Sequence, residues 1–425
     1  MKRSLIDRSF LNNVFFSYGS QFLIAIAGFA RITLITRYAG IDVYGIIATL
    51  TALSSILANL LTFRTNEAVV TFYKRGQVKK EYSLCRLALV SGLFLDAVLG
   101  GVLLVSVLSL SSVIATTLLK KAALQSGVSI FAFIMVAKFL RGTPAGLLVA
   151  KERFVLINSL NVAEAVLKLL ILSGIVFSNM AMTLELVIYS TLIPTVLITG
   201  SIYFLPIIEL MGQLRHAGLA KDQLRDYGRF TASTFLSSTL KAGNQNIDTI
   251  LLGYLTSPAV VGVYDILNQF LMPLKVISSP FSSQITPRFV QSIASQKVDD
   301  VKDTIQHAGV LLTKISLPVF IAVTPLMIVY GQWNELNFRL EHYTCFALLF
   351  LSAAMEQRRW WVRSFSISTN PAVSVQAGTL SSIVAISSII ALASALGGLI
   401  GTAGGVFTKN VVVTFFWNKR LKEHV

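Results

Sequence analysis

Runs of about 20 predominantly apolar residues recur from one end of this chain to the other, and a run of that length is what an α-helix needs to cross the hydrocarbon of a bilayer. Hydropathy places twelve of them, at 12–36, 41–63, 84–108, 127–149, 155–177, 184–205, 230–254, 259–285, 308–330, 342–361, 372–392 and 397–417. The expected fold is therefore an all-α integral membrane protein of about twelve transmembrane helices. Composition agrees, since 54% hydrophobic residues against 13% charged ones do not make a soluble chain. Residues 1–10 carry Lys2, Arg3 and Arg8, and the apolar run behind them continues to Ile35 without a small-residue cleavage site. That pattern predicts a retained first span, not a signal peptide.

An even span count puts both termini on one side, and the basic residues say which. The N-terminus, the even-numbered loops with their adjoining span ends, and the C-terminal tail hold 24 Lys and Arg, whereas the opposite loops hold 4. Under the positive-inside rule both termini are cytoplasmic. The net charge of +16 then reads as loops facing anionic lipid, and no nucleic-acid partner is expected. Cys85 and Cys345 lie far apart with only His342 at ligand spacing from either, which argues against a disulfide framework and against a metal site.

The external loops are short, the longest being 109–126, so they cannot build an extracellular domain. The longest internal breaks are 64–83, 206–229 and 286–307. In the second, Ile207, Leu210, Met211 and Leu214 make a stripe at helical spacing that predicts a helix lying in the membrane interface. That break divides the chain into an N-terminal lobe of six helices (1–206), a cytoplasmic linker (207–228) and a C-terminal lobe of six (229–425). Residues 37–45 (RYAGIDVYG) and 253–264 (GYLTSPAVVGVY) occupy the equivalent first external turn of each half, the pattern of a parallel repeat.

Ionisable groups inside spans cost a few kcal/mol each unless they face water or a partner. Here the bases are Arg31, Lys138, Arg141, Lys168, Lys241, Lys275, Lys314 and Lys409, and the acids Asp96, Glu164, Asp248, Asp265 and Glu356. Several share a helix face with other polar or small residues: Ser17, Gln21, Gly28 and Arg31 on the first span; Asn158, Asn161, Glu164 and Lys168 on the fifth; Ser237, Lys241, Asn244 and Asp248 on the seventh; Asp265, Asn268, Lys275 and Ser279 on the eighth. A water-filled cavity between the halves, with a cationic excess, would hide them all from lipid. Two plainer readings stand beside it: Glu164 and Lys168 at i, i+4 neutralise each other, and Arg141 or Lys409 snorkels to the cytoplasmic face. Candidate substrate-binding residues are Arg31, Lys138, Lys241, Lys275, Asn244 and Gln21; candidate ion-coupling residues are Asp248, Asp265 and Glu164. Pro144, Pro194, Pro273, Pro280, Pro318 and Pro325 fall inside spans and predict bends, and Gly397, Gly401 and Gly405 predict close helix packing.

No nucleophile elbow, H-E-x-x-H or phosphate-binding glycine loop occurs, and the four histidines are scattered, so an enzyme is disfavoured. Residues 28–31 (GFAR), 36–45 (TRYAGIDVYG), 63–70 (FRTNEAVV), 246–254 (NIDTILLGY), 261–264 (VGVY) and 287–289 (PRF) resemble the polysaccharide-export flippases of the Wzx type. Those patterns are shared with a superfamily that holds peptidoglycan-precursor flippases and multidrug and toxin extruders. The resemblance implies two six-helix lobes forming a V around a central cavity, in the bacterial cytoplasmic (inner) membrane, moving a polyprenyl-diphosphate-linked oligosaccharide outward. It implies no cofactor beyond coupling to H+ or Na+, and as partners the lipid-linked oligosaccharide, membrane lipid, a polysaccharide polymerase and chain-length proteins. Arg31 and Asp248 fall where relatives carry cavity residues, whereas residues 358–361 (RRWW) depart from the pattern. A drug or peptidoglycan-precursor exporter of the same fold is the alternative. A drug exporter for organic cations would rely on buried carboxylates, which are outnumbered here.

The charge asymmetry makes a direct prediction of topology. Reporter fusions after Lys121 should score external and fusions at Val425 cytoplasmic; an external C-terminus would overturn the twelve-span reading.

Overall fold

A computed structural model describes residues 8–61, 64–212, 221–242, 246–274, 298–359, 361–362 and 371–424, with Arg215 and Gly218. All regular structure among them is helical. The helices are α1 (Arg8–Tyr38), α2 (Ile41–Leu61), α3 (Thr65–Lys79), α4 (Tyr82–Ser109), α5 (Ser111–Val113), α6 (Gln125–Phe139), α7 (Gly142–Ala150), α8 (Phe154–Phe177) and α9 (Leu184–Met211). They continue as α10 (Leu224–Ala242), α11 (Ile247–Leu255), α12 (Pro258–Gln269), α13 (Val298–Trp333), α14 (Leu340–Arg358), α15 (Pro371–Leu396) and α16 (Gly398–His424). Among the described residues nine helices are long and apolar enough to cross a membrane, which is consistent with about twelve spans in all.

The expected break at 64–83 is instead a helix. α3 buries Thr65, Ala68, Val69, Phe72, Tyr73 and Gly76, the i, i+3, i+4, i+7, i+8, i+11 series of one helical face, against α4 and α7. Its tight connection to α4 turns at Lys80, which takes a left-handed φ of 58°. The Thr65 hydroxyl reaches Asp96, 14 residues into α4, so the N-terminus of α3 sits about 21 Å along that helix. Basic residues crowd the C-terminal half of α3, which lowered its hydropathy and concealed it.

Two further spans are interrupted. The run at 127–149 divides into α6 and α7 at Leu140 and Arg141, with Pro144 in the first turn of α7, where its missing N–H deprives no carbonyl of a partner. The run at 230–254 divides into α10 and α11, with Asn246 in the left-handed region (φ 57°) immediately before α11. The seventh-span stripe of Ser237, Lys241, Asn244 and Asp248 therefore does not run along one continuous helix. The separate interfacial helix expected from Ile207 is likewise corrected: Ile207, Leu210 and Met211 belong to the last turns of α9, whose apolar run passes through Pro206 without stopping. Leu214, Ser279, Pro280 and the 287–289 segment lie outside the described residues.

The chain forms two compact units, the first from residues 1–40 and 53–242, the second from 41–52 and 243–425. The unit boundary at 242/243 differs from the composition break at 206–229, and the first half of α2 belongs to the second unit. In the first unit, α1 packs on α8, α8 on α9, α9 on α6, and α6 on α4. At the far end of α3, the Tyr73 hydroxyl donates to Glu209 Oε1 at 2.6 Å while Lys151 Nζ meets Glu209 Oε2 at 2.5 Å, tying α3 and the end of α7 to the end of α9. Beside this knot, in the turn between α7 and α8, the Lys74 ammonium hydrogen-bonded to the exposed Glu152 holds its carboxyl below the usual carboxylate range.

The second unit is built on glycine contacts. Along the α15–α16 hairpin, a Cβ on Gly401 would lie 2.3 Å from the Leu392 carbonyl and one on Gly405 2.5 Å from Ile389, the close approach expected of those two glycines, whereas Gly397 has open space around it and takes a left-handed φ of 86° in the turn before α16. At the start of α2, a Cβ on Gly45 would lie 1.7 Å from the Pro258 carbonyl oxygen, and at the start of α12 a Cβ on Gly262 would lie 2.7 Å from the Ile41 carbonyl oxygen. The contact is reciprocal, each glycine four residues after the residue whose carbonyl the other touches. It aligns Ile41 with Pro258 and Gly45 with Gly262, the two segments that resemble each other in sequence. Gly45→Ala should lower the thermal midpoint of the purified protein, at a cost of about 1 to 3 kcal/mol, because backbone and not a flexible side chain occupies the space. An unchanged midpoint would contradict this packing.

Candidate functional site

The first unit gathers four of the eight basic residues that sequence reading placed inside spans. Arg31 comes from α1, Lys138 from the end of α6, Arg141 from the break before α7, and Lys168 from α8. Two of them, Arg141 and Lys168, meet one carboxylate, Glu164 of α8, which is 6% exposed. Arg141 Nη1 donates to Glu164 Oε2 and Lys168 Nζ to Oε1, so the i, i+4 pairing of Glu164 with Lys168 does form, but shared with a third residue from another helix. The snorkelling expected of Arg141 is overturned: besides Glu164 it donates to Thr199 Oγ1 at 2.7 Å and to the Thr195 carbonyl at 3.0 Å. The broken helix makes this possible, since a continuous span would hold residue 141 in register with α6.

The element that organises the cluster escaped the sequence reading. Thr191, Thr195 and Thr199 fall at i, i+4 and i+8 on α9, and all three are buried. Arg31 Nη2 donates to Thr191 Oγ1 at 2.5 Å, Thr195 Oγ1 donates to Glu164 Oε1 at 2.9 Å, and Thr199 accepts from Arg141. The three threonines are legible in the sequence at that spacing, but an uncharged hydroxyl in a span does not by itself mark a site. The polar face of α1 is held further along its length as well, because Asn158 Nδ2 of α8 donates to Ser17 Oγ at 2.8 Å.

Lys138 differs from its neighbours in being exposed. Four cations against one carboxylate leave a formal surplus of three positive charges. Such a surplus inside a membrane protein is costly without water or an anionic ligand to offset it. Gln21, on the same helix as Arg31, is exposed.

The carboxylates of the second unit are held differently. Asp248 accepts from the Tyr264 hydroxyl at 2.6 Å, and Asp265 accepts from the Tyr44 hydroxyl and, at 3.5 Å, from Gln269. Tyr44 immediately precedes Gly45, Tyr264 follows Gly262 by two residues, and both tyrosines are buried. The side chains of Ser237 and Lys241, and Asn244 and Lys275 altogether, lie outside the described residues. The 358–361 segment starts a polar network: Arg359 donates to Asn410 Oδ1, Asn410 Nδ2 donates to Ser352 Oγ at 2.5 Å, and Trp361 packs edge-on to Trp417.

The chain has relatives among known proteins. A sequence model of polysaccharide biosynthesis proteins matches residues 10–293, and one of the MatE family matches 234–357. Among solved structures, the lipid II flippase MurJ in an inward closed conformation is similar with a TM-score of 0.70 at 14% identity, over 96% of this chain and 87% of MurJ. A multidrug resistance MATE family transporter of the MOP superfamily, inward-facing, gives 0.66 at 12% identity over 95% of both chains. The MATE multidrug transporter DinF-BH gives 0.65 at 12% identity, over 100% of this chain and 97% of the other. A search of curated proteins finds no match.

Glu164→Gln should be strongly destabilising, by about 3 kcal/mol or more, since it strips the shared acid from Arg141 and Lys168. Lys168→Met in the same chain should restore part of the loss in a thermal melt; an unaltered melt for Glu164→Gln would contradict the pairing.

Proposed function

This chain belongs to the polysaccharide biosynthesis protein family, within the flippase and transporter superfamily that includes MATE carriers and MurJ, and we propose that it flips polyprenyl-diphosphate-linked oligosaccharide repeats across the bacterial inner membrane by alternating access. One observation carries the reading: the surplus of three positive charges around Glu164, with Lys138 exposed among them. A diphosphate between a lipid tail and a sugar is an anion of comparable charge, and guanidinium and ammonium groups bind phosphate oxygens by charge-assisted hydrogen bonds. The tail needs no polar passage, because it can stay in lipid. Arg31 and Lys138 are the proposed headgroup contacts, with Gln21 about 15 Å further along α1. Lys241, Asn244 and Lys275 complete the proposed set from the second half.

Outward movement of an anion is favoured by a negative-inside potential, by about 2.3 kcal/mol per charge at 100 mV. The return of the unloaded cationic site carries positive charge against part of that field. Asp248 and Asp265 are the proposed sites at which H+ or Na+ offsets it, each now engaged by a tyrosine hydroxyl. The MatE match over 234–357 supports a second reading, export of a drug or peptidoglycan precursor, and a reconstituted assay separates the two by substrate.

Arg31→Ala and Lys138→Ala should each slow flipping of a lipid-linked oligosaccharide in proteoliposomes by about tenfold or more, the loss of one charge-assisted contact of about 1.5 kcal/mol or more. Lys138→Arg should retain most activity and Lys138→Glu none. Full activity of both Ala variants at normal membrane levels would overturn the proposal.

A further inference from the structure

The turn that joins α3 to α4 exposes side chains that serve neither the Glu164 cluster nor the core of the first unit. α4 has 28 residues, about 42 Å of helix against about 30 Å of hydrocarbon, so its first turn reaches the headgroup layer. α9 is equally long, and the Tyr73 to Glu209 hydrogen bond ties its end beside the end of α3. The turn itself is stiff. Lys80 takes a left-handed φ of 58°, its N–H donates to the Gln77 carbonyl at 3.2 Å, and the Glu81 N–H donates to the Gly76 carbonyl at 2.8 Å. Gly76 permits the close fold, since a Cβ there would lie 2.7 Å from Cys85 Sγ and 2.9 Å from the Glu81 carbonyl oxygen.

Gln77, Val78, Lys79, Lys80 and Tyr82 are all exposed, Val78 to 82% and Tyr82 to 54%. Residues 75–82 hold three bases, Arg75, Lys79 and Lys80, and one acid, Glu81. The acid accepts from Gln223 Nε2 at 3.4 Å, and Arg75 lies over the Phe72 ring, 5.3 Å from its centroid. Among the described residues, Lys79 and Lys80 have no hydrogen-bond or ion-pair partner. A helix C-terminus attracts cations on its own account, but that leaves Val78 and Tyr82 unexplained. An apolar and an aromatic side chain on either side of two lysines match a boundary between hydrocarbon and charged headgroups.

We infer that the α3–α4 turn is a docking surface for anionic phospholipid headgroups, with Lys79 and Lys80 meeting the phosphates while Val78 and Tyr82 enter the acyl boundary. Charge complementarity selects the occupant: at headgroup depth the anions that also offer an apolar chain are lipid phosphates. Each lysine near an anionic membrane surface favours such contact by about fivefold. The fixed turn adds to this, because little conformational freedom is left to lose on docking. The inference is independent of the substrate proposed above.

Full-length Val78→Cys, labelled with bimane maleimide in lipid nanodiscs, tests it. Cys85 and Cys345 are buried, so the introduced thiol alone is open to the reagent. The nanodiscs hold equal parts phosphatidylcholine and phosphatidylglycerol, with a nitroxide on the acyl chains of one or the other. Nitroxide on phosphatidylglycerol should quench the label about twofold or more strongly than nitroxide on phosphatidylcholine. The difference should vanish at about 1 M NaCl, where the Debye length is about 3 Å. It should vanish also when Lys79→Gln is combined with Lys80→Asn, which removes both charges and keeps a residue tolerant of the left-handed backbone. A turn merely resting against the membrane would be quenched alike by both lipids. One standing in water, its lysines left to an acidic protein segment, would be quenched by neither. Either result would overturn the inference, as would a preference for phosphatidylglycerol that survives loss of both lysines.

Discussion

The charge balance at Glu164 is the constraint from which the rest of the first unit follows. A carboxylate at 6% exposure inside a membrane protein has to be met by cations and hydrogen-bond donors from several directions at once. Glu164 receives Arg141 and Lys168 and the hydroxyl of Thr195, and those three reside on the α6–α7 junction, on α8 and on α9. Removing Glu164 would leave like charges facing one another across several helices. Keeping it leaves the cluster formally three charges positive, with Lys138 exposed.

The same economy explains the broken helices. Backbone that leaves the helical ladder at membrane depth must find its hydrogen bonds within the protein, so interruptions occur where buried polar groups can serve them. At the α6–α7 break the Thr143 N–H finds Asp96, and the interruption lets Arg141 reach α8 and α9. At the start of α3 the Thr65 hydroxyl finds the same Asp96. One carboxylate thus takes a backbone N–H at the α6–α7 break and a side-chain hydroxyl at the start of α3, tying both helix ends to the middle of α4.

The all-α membrane fold was legible because apolar run length is a bulk property that survives any arrangement of the runs. Arg31, Lys138 and Glu164 were legible for the complementary reason, since a charge in such a run has few uses. What could not be read was pairing between helices. On a continuous helix through residue 141 Arg141 would snorkel, and nothing local says that Gly142 and Pro144 begin a new helix and do not bend an old one. The threonines at 191, 195 and 199 carry no charge, and hydroxyls in spans commonly bond back to their own helix, as Thr191 also does to the Val187 carbonyl. α3 was hidden by its own ends: Lys74, Arg75, Lys79 and Lys80 lowered its mean hydropathy, although Ala68, Val69 and Phe72 are as buried as any residues in the unit.

The two similar segments, 37–45 and 253–264, meet at one backbone contact. The reciprocal contact of Gly45 with Pro258 and Gly262 with Ile41 has matching spacing on both sides, which requires two backbones of the same local shape and leaves no volume for drift at either glycine. Side-chain chemistry around that contact is under no such restriction. The tyrosines that flank it, Tyr44 and Tyr264, donate to carboxylates of the second unit, Asp265 and Asp248, whereas the cations gather in the first unit around a threonine ladder. Backbone packing therefore fixes the crossing of α2 and α12, while the side chains beside it cap Asp265 and Asp248 with tyrosine hydroxyls, and Arg31, Lys138, Arg141 and Lys168 gather on helices of the first unit.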